Sequence, residues 1–243
     1  MFIAISLAYY FHKMKFDQKL VPGKLIRRYK RFLTDVELED GSVVVAHCTN
    51  SGTMISCLEE GAPVMLSPAK DPKRKTRFTW EMIFINNAWI GINTIIPNQL
   101  VFEAIRDNKI KGLEGYTSVK REVKYEDSRL DVFAENEKEK CFIEVKNVTM
   151  KVGNAALFPD AVTTRGLKHL ETLIRIKKAG IRAVMVYVIQ RTDIEYFGTA
   201  KHIDPNYAEA LQRAMDNGVE VFPIMATVSP HGIELTKVLD ISI

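Results

Sequence analysis

Three residues on two apolar segments have the types and spacing for metal-assisted phosphodiester chemistry. Asp131 sits in Arg129-Leu130-Asp131-Val132-Phe133, and Glu144 and Lys146 follow in Ile143-Glu144-Val145-Lys146. The charged stretch from Asn136 to Lys140 reads as a turn, so the two segments form an antiparallel hairpin that sets them side by side. Residues two apart on a strand point to one face, which places Glu144 and Lys146 together, next to Asp131. Carboxylate oxygens are hard ligands suited to Mg²⁺ or Mn²⁺, and the carbonyl of Val145 is a further oxygen donor. Such an ion polarises a phosphodiester and acidifies water, while an ammonium beside it orients that water or stabilises charge on phosphorus. The competing reading is a cross-strand ion pair, which contributes only ~0–1 kcal/mol when exposed. Glu-x-Lys alone carries little information; an Asp strand, a turn and an apolar strand with Glu-x-Lys, flanked by helices, carry more. Glu103, on the preceding helix, is the expected additional acid. Glu122, on the strand before Asp131, is its competitor.

Arg165 and His169 are four apart and share a helix face. Thr164, Arg165 and Lys168 lie near the start of that helix, where free backbone N–H groups favour phosphate. The alternative for His169 is packing at the junction of helix and sheet. Two basic clusters precede these elements: Lys24, Arg27, Arg28, Lys30 and Arg31, interleaved with Tyr29 and Phe32; and Lys70, Lys73, Arg74, Lys75 and Arg77, followed by Phe78 and Trp80. Each alone reads equally as a solvated face. Together in one small domain they favour a phosphate backbone, with aromatic rings available to stack on bases.

The elements needed to position these residues follow from the hydrophobic pattern. Residues 15–96 read as short strands: Arg31 to Cys48 turning at Asp40-Gly41, Val64 to Leu66, and Phe78 to Ile85 with Trp89 to Ile92 across Asn86-Asn87. That density of strands predicts a small barrel or sandwich, an OB-type barrel among the candidates. Residues 97–243 predict a mixed α/β domain. Asn98 is the expected cap of a helix with the stripe Leu100, Val101, Ala104, Ile105. Strands follow at Ser118–Tyr125, Arg129–Glu135 and Cys141–Val145, then an irregular segment from Met150 to Asp160. A helix over Thr163–Lys178, capped by Gly180, leads to a buried strand over Ala183–Ile189, a helix over Asn206–Asn217 and a last strand over Val219–Pro223.

The chain has 243 residues, 26% charged and 47% hydrophobic, with a net charge of +4. This composition excludes a disordered or collagen-like chain. The whole positive excess lies in residues 1–96, which carry 13 Lys and Arg against 9 Asp and Glu, whereas residues 97–243 carry 21 of each. Cys48, Cys57 and Cys141 are too few and too scattered for a disulfide framework or a zinc site, and point to a reducing, cytoplasmic compartment. No apolar run is long enough to span a bilayer. Residues 1–14 open apolar, but basic Lys13 follows rather than precedes the apolar run; they read as an extension before a start near Met14.

The stretches LIRRYKRFL (25–33), HCTNSG (47–52), RLDV (129–132), FIEVKNVT (142–149), FPDAVTTRGLKHL (158–170), RAV (182–184) and HIDPNYAEAL (202–211) strongly resemble the SfsA family, the sugar fermentation stimulation protein A homologues, in order from about Leu20 to the C-terminus. The resemblance implies an N-terminal OB-like domain followed by a restriction-endonuclease-like α/β domain of the PD-(D/E)XK type. It implies DNA as partner and a regulatory link to sugar, particularly maltose, utilisation; the basic OB-like face adds the expectation of binding largely without regard to sequence. The resemblance carries the acidic site over to Asp131, Glu144 and Lys146, and the helix motif to Arg165 and His169. Asn50, an expected nucleic-acid contact, and Gly52 of the HCTNSG turn are retained, whereas Thr49 stands where the family pattern has Pro. Alternatives to a DNA-binding protein with a metal site are an active nuclease of nucleic-acid processing and a non-catalytic regulator; no helix-turn-helix and no sugar pocket are recognisable in the sequence.

Overall fold

A computed structural model describes residues 12–242. Strand β1 (Lys13–Met14) is followed by β2 (Val21–Tyr29), β3 (Leu33–Leu38), β4 (Val43–His47), β5 (Pro63–Pro68), β6 (Phe78–Ile85) and β7 (Ala88–Gly91). Five of these run in the order β4-β3-β2-β5-β6, and β4 pairs with β6 to close the barrel, while β7 extends β6 as a hairpin. Alternate residues point inward, so Val36, Ala46, Val64, Leu66 and Ile83 are buried around Trp80. The closed barrel is the OB-type candidate among the barrels and sandwiches that the strand density predicts.

The second domain comprises α1 (Ile96–Arg106), β8 (Ser118–Tyr125), β9 (Ser128–Glu135), β10 (Lys140–Val148), β11 (Met150–Val152), β12 (Ala155–Phe158), α2 (Thr164–Lys178), β13 (Arg182–Ile189), β14 (Tyr196–Thr199), α3 (Pro205–Asp216), β15 (Glu220–Ser229), β16 (Gly232–Val238) and β17 (Asp240–Ser242). Its main sheet has the order β1-β16-β15-β13-β10-β9-β8, with β10, β13 and β15 parallel at the centre. Strand β13 explains itself chemically. Val184, Val186 and Val188 pack with Leu100 and Val101 of α1 on one face. Ala183, Met185 and Tyr187 pack with Leu170, Leu173 and Leu211 of α2 and α3 on the other. A strand covered on both faces has no polar side, hence the unbroken apolar run.

Four local expectations differ from the structure. Helix α1 starts at Ile96, with Pro97 in its first turn, so Asn98 lies inside the helix and is not its cap. The segment from Met150 to Asp160 is not irregular: β11 and β12 form a hairpin in a small second sheet with β14 and β17. The chain ends in a hairpin and an edge strand rather than one strand. Lys13 and Met14 pair with Glu234 and Ile233 of β16, so the end of the expected extension is part of the main sheet; the rest of it, residues 1–11, lies outside the described residues. The three cysteines are buried free thiols. No described helix is long and apolar enough to cross a membrane.

Candidate active site and nucleic-acid interface

The β9–β10 hairpin does what its spacing requires. The last registered pair of the ladder is Ile143 with Val132. Beyond it the Asp131 carboxylate replaces the missing backbone partner: Oδ2 accepts from Val145 N at 2.8 Å, and Oδ1 accepts from Asn98 Nδ2 of α1 at 2.7 Å. Backbone N–H and C=O of one strand residue point to the same edge, so the Val145 carbonyl faces this side too. Glu144 is 1% exposed. Its Oε1 accepts from Lys146 Nζ at 2.5 Å and also meets His169 Nδ1, and Lys146 Nζ lies 3.3 Å from that same ring nitrogen. Its Oε2 is buried and has no hydrogen-bond partner.

The electrostatics of the two carboxylates diverge. Burial, then the charge of Glu144, pushes Asp131 up to about 7, against the opposing pull of Lys146 and of the Val145 N–H. Burial also acts on Glu144, but Lys146 and His169 outweigh it and hold this carboxyl below its usual range. Lys146 and His169 therefore satisfy the charge of Glu144 but leave the half-buried Asp131 raised. Glu122 adds to this rise. The pairs Arg121 with Val132 and Val123 with Leu130 bracket it opposite Asp131, its φ is +54°, and its charge also raises Asp131. A glutamate in the left-handed region within a strand is strained backbone.

Glu103 is not part of this site. Its carboxylate is held by Gln99 Nε2 at 2.9 Å and His12 Nε2 at 3.0 Å, in a separate cleft beside residues 13–18. Asn98 and Glu103 are five positions apart on α1, about 140° around the helix axis, so only one of them can face β9. The helix contribution to the site is an amide, Asn98. His169 is buried on Glu144, combining the packing and the polar reading. Arg165, one turn earlier, is exposed at the cleft and makes no hydrogen bond among the described residues.

The cleft above the acids has a volume of about 510 Å³ and is built by both domains. Asp131, Lys146, Asn98 and Arg165 line it from the α/β domain, Arg31 and Ser51 from the barrel. The loop after β4 is clamped in place. Arg28 donates to the carbonyls of Asn50 at 2.8 Å, Gly52 at 3.0 Å and Thr53 at 3.4 Å, and Arg31 Nη2 donates to Ser51 O at 2.8 Å. Asp160, just before α2, accepts from Met54 N at 3.1 Å and its carbonyl accepts from Thr53 Oγ1 at 2.9 Å. A Cβ at Gly52 would collide with the Asp160 carboxylate and push it from its bond to Met54 N. Asn50 is buried and folds the turn by accepting from Gly52 N at 2.9 Å. Thr49 is also structural: its hydroxyl accepts from Thr94 N at 3.0 Å and contacts Asn93 Oδ1 at 3.3 Å. Arg191, 0% exposed, completes the domain junction by bonding Asp193, Thr149 O and Ser56 Oγ of the barrel.

The basic clusters therefore divide. Arg27 pairs with Asp35 at 2.9 Å and lies over Tyr29; Arg74 donates to Phe78 O and Thr79 Oγ1, both at 2.8 Å. Lys30, Lys73 and Lys75 are exposed, and their side chains have no partner among the described residues. The arginine bonds were invisible in the sequence because their acceptors are mostly backbone carbonyls, which carry no sequence signature.

A divalent cation fits the residues present. The orphaned Oε2 of Glu144, the carboxylate of Asp131 and the Val145 carbonyl are all hard oxygens, and Asp131 is left raised. Among the described residues no three His, Cys, Asp or Glu side chains are grouped as metal ligands, so a cation here would draw on two carboxylates and a carbonyl, with water or substrate completing its shell.

A closed OB barrel joined to a restriction-endonuclease-like α/β domain, with an acidic site in the cleft, defines a two-domain class of protein. Residues 26–92 match the SfsA N-terminal OB domain, and residues 95–232 match the sugar fermentation stimulation protein RE domain. The sugar fermentation stimulation protein homologue of Geotalea uraniireducens is 48% identical over 229 residues, covering 94% of this chain and 99% of its own; that of Geobacter metallireducens is 48% identical over 230 residues, with the same coverage. The structure of Pyrococcus furiosus SfsA in complex with Ca²⁺ superposes with a TM-score of 0.88 at 27% identity, covering 96% of this chain and 99% of that one. The chain belongs to the SfsA family.

Proposed function

We propose that the protein binds nucleic acid, DNA being the expected partner, largely without reading its sequence, and that Asp131, Glu144 and the Val145 carbonyl hold Mg²⁺ or Mn²⁺ for phosphodiester cleavage. The observation that carries this reading is the buried, partnerless Oε2 of Glu144 beside the raised Asp131 carboxyl. An unpaired buried carboxylate oxygen costs free energy unless a cation completes it. The Ca²⁺ in the structure of the Pyrococcus furiosus relative supports it, since Ca²⁺ takes the same hard oxygen ligands as Mg²⁺.

A divalent ion here supplies Lewis-acid polarisation of a phosphodiester and a nucleophile from water at neutral pH. The chain's own residues do the rest. Asn98 and the Val145 N–H fix the plane of Asp131, and Lys146 and His169 fix Glu144 through Oε1, leaving Oε2 without a partner. Lys146 places a positive charge beside the reacting phosphate. Arg165, at the start of α2, binds a neighbouring phosphate together with the helix N-terminus. Lys30, Lys73 and Lys75 add non-specific backbone contacts. A regulatory effect on sugar utilisation would act through the bound nucleic acid.

The test is incubation of linear, single-stranded and branched nucleic acids with Mg²⁺ or Mn²⁺. The wild type is expected to cleave at least one of them, with Glu144→Gln and Lys146→Ala reduced. Identical products from wild type and both variants on every substrate would remove catalysis from this site.

A further inference from the structure

The outer end of the β8–β9 hairpin carries two cations that the fold sets against each other. In the register of this antiparallel pair Lys124 stands directly opposite Arg129. Both are exposed, and neither has a hydrogen bond or an ion pair among the described residues. Like charges in directly opposed positions destabilise a sheet. The acids nearest in sequence do not relieve them. Glu126 and Asp127, in the turn between the two strands, are taken by α2. Arg175 donates to Glu126 at 2.9 Å and to Asp127 at 3.1 Å, and Lys168 Nζ lies 3.0 Å from the Asp127 carboxylate and donates to the Asp127 carbonyl at 2.8 Å. Glu122 is exposed and bonds neither cation.

Strained backbone puts the two side chains on one face. On β8, Val119 packs with the core under α1 and Arg121 lies over the Phe102 ring of α1 at 5.7 Å, whereas Val123 and Tyr125 pack with the core under α2. A regular strand would keep residues 121 and 123 on the same face. Glu122, with φ of +54°, lies between them and switches the faces, so Lys124 points to the α1 side. Strand β9 switches at the facing residue: Val132 packs with the α1 core and Leu130, two positions away, with the α2 core. Arg129 therefore joins Lys124 on the α1 side. The residue at which β9 switches is Asp131 itself. Arg129 is two positions from it, about 7 Å along the strand, on the side of the sheet away from α2 and Arg165.

We propose that Lys124 and Arg129 form a phosphate subsite, which clamps a backbone phosphate of the nucleic acid next to the phosphodiester held at Asp131 and Glu144. An anion between two opposed cations turns their repulsion into attraction, so the cost they impose on the free protein is offset when the backbone is bound. The guanidinium offers a planar fork of donors to the phosphate oxygens, and the ammonium a second, compact charge. Arg165 reaches the cleft from α2 and this pair from the α1 side, so the backbone is gripped on both sides of the acidic site. Contacts to phosphate position a strand without reading its bases. The inference rests on the nucleic-acid reading above and adds to it the residues that set where the backbone lies across the acids.

Fluorescence anisotropy in EDTA, with a fluorescein-labelled DNA duplex that carries a single-stranded tail as the probe, tests it on the full chain. Lys124→Ala and Arg129→Ala are each expected to weaken binding ~3–10-fold and to reduce the slope of log affinity against log salt by about one, the double variant by about two. Arg129→Lys is expected to keep the wild-type slope. Lys237→Ala, an exposed lysine near the other edge of the same sheet, is expected to change neither. The melting temperature of the free protein at low salt is expected to rise by ~1–3 °C in Lys124→Ala, because the repulsion is gone. A double variant that binds within a factor of two of the wild type, or that loses no more than Lys237→Ala, would overturn the subsite and leave the nucleic-acid reading standing. A wild type that does not bind the probe would overturn that reading and the subsite with it. A lower melting temperature in both single variants would make the pair a structural contact and also overturn the proposal.

Discussion

In the basic hairpin of the barrel, Arg27, Arg28 and Arg31 each find acceptors within the protein, on Asp35 and on the carbonyls of the loop from Asn50 to Thr53. At the junction of β9 and β10, Glu144 takes both Lys146 and His169 on one oxygen while its other is left without a partner, and Asp131 has only an amide and a backbone N–H. Both regions are dense in charge in the sequence. The arginines have become structural clamps that fix the roof of the cleft. At its floor Asp131 stays raised and Glu144 keeps one oxygen without a partner. Charge that the fold leaves unsatisfied is the better guide to chemistry than charge that is merely abundant.

The largest effect belongs to the floor. Glu144→Gln is expected to abolish metal-dependent cleavage, and Lys146→Ala to reduce it ~10²–10³-fold, in a single-turnover assay with Mn²⁺. Full activity in both would make the acidic cluster a structural ion network like the arginine one. The second effect is a pH dependence of the metal-free protein. Asp131 is raised by burial and by Glu144 to about 7 when folded, well above the ordinary carboxylate range. Its contribution is present below the unfolded value and lost as pH rises through the folded one, so stability falls between about pH 4 and 7 and stays lower above that. A divalent cation stabilises the ionised form. The rise in melting temperature on adding Mn²⁺ should therefore be larger at pH 8 than at pH 5; an equal rise at both would place the ion elsewhere.

The roof should respond in the opposite sense. Arg28→Ala removes bonds to three loop carbonyls, and is expected to cost ~1–3 kcal/mol and lower the melting temperature by several degrees in calorimetry. Arg165→Ala, exposed and unbonded, is expected to leave the melting temperature unchanged, weaken nucleic-acid binding and reduce the slope of log affinity against log salt by about one. If Arg28 proved the stronger contributor to the salt slope and Arg165 to stability, the contrast between the regions would be reversed. The smallest effect is expected at Glu103, where Glu103→Gln disturbs only His12 and Gln99 and should leave cleavage rates unaltered.

Strand periodicity sufficed to bring Asp131, Glu144 and Lys146 together, because two apolar runs joined by a short charged turn have few other ways to pair. The four-residue spacing likewise put Arg165 and His169 on one face of α2. Glu103 shows where such reasoning fails: a helix presents acids around its whole circumference, and which one reaches the site depends on the axial rotation fixed by packing of Leu100, Val101 and Ala104. Asn98, read as a cap, supplies the contact instead. The clasp between Asp160 and the loop at Gly52 joins residues more than a hundred positions apart and leaves no local pattern. The strain at Glu122, Lys30 and Arg31 was equally hidden, since nothing in those residue types requires positive φ.

Mn²⁺ soaked into crystals and located by its anomalous scattering tests the central claim most directly. A single strong peak is expected between the Asp131 carboxylate and Oε2 of Glu144, within ~2.0–2.6 Å of both, and it should vanish in Glu144→Gln. No peak there, with Glu144 still held by Lys146 and His169 and its second oxygen still unpartnered, would contradict a metal centre at this site.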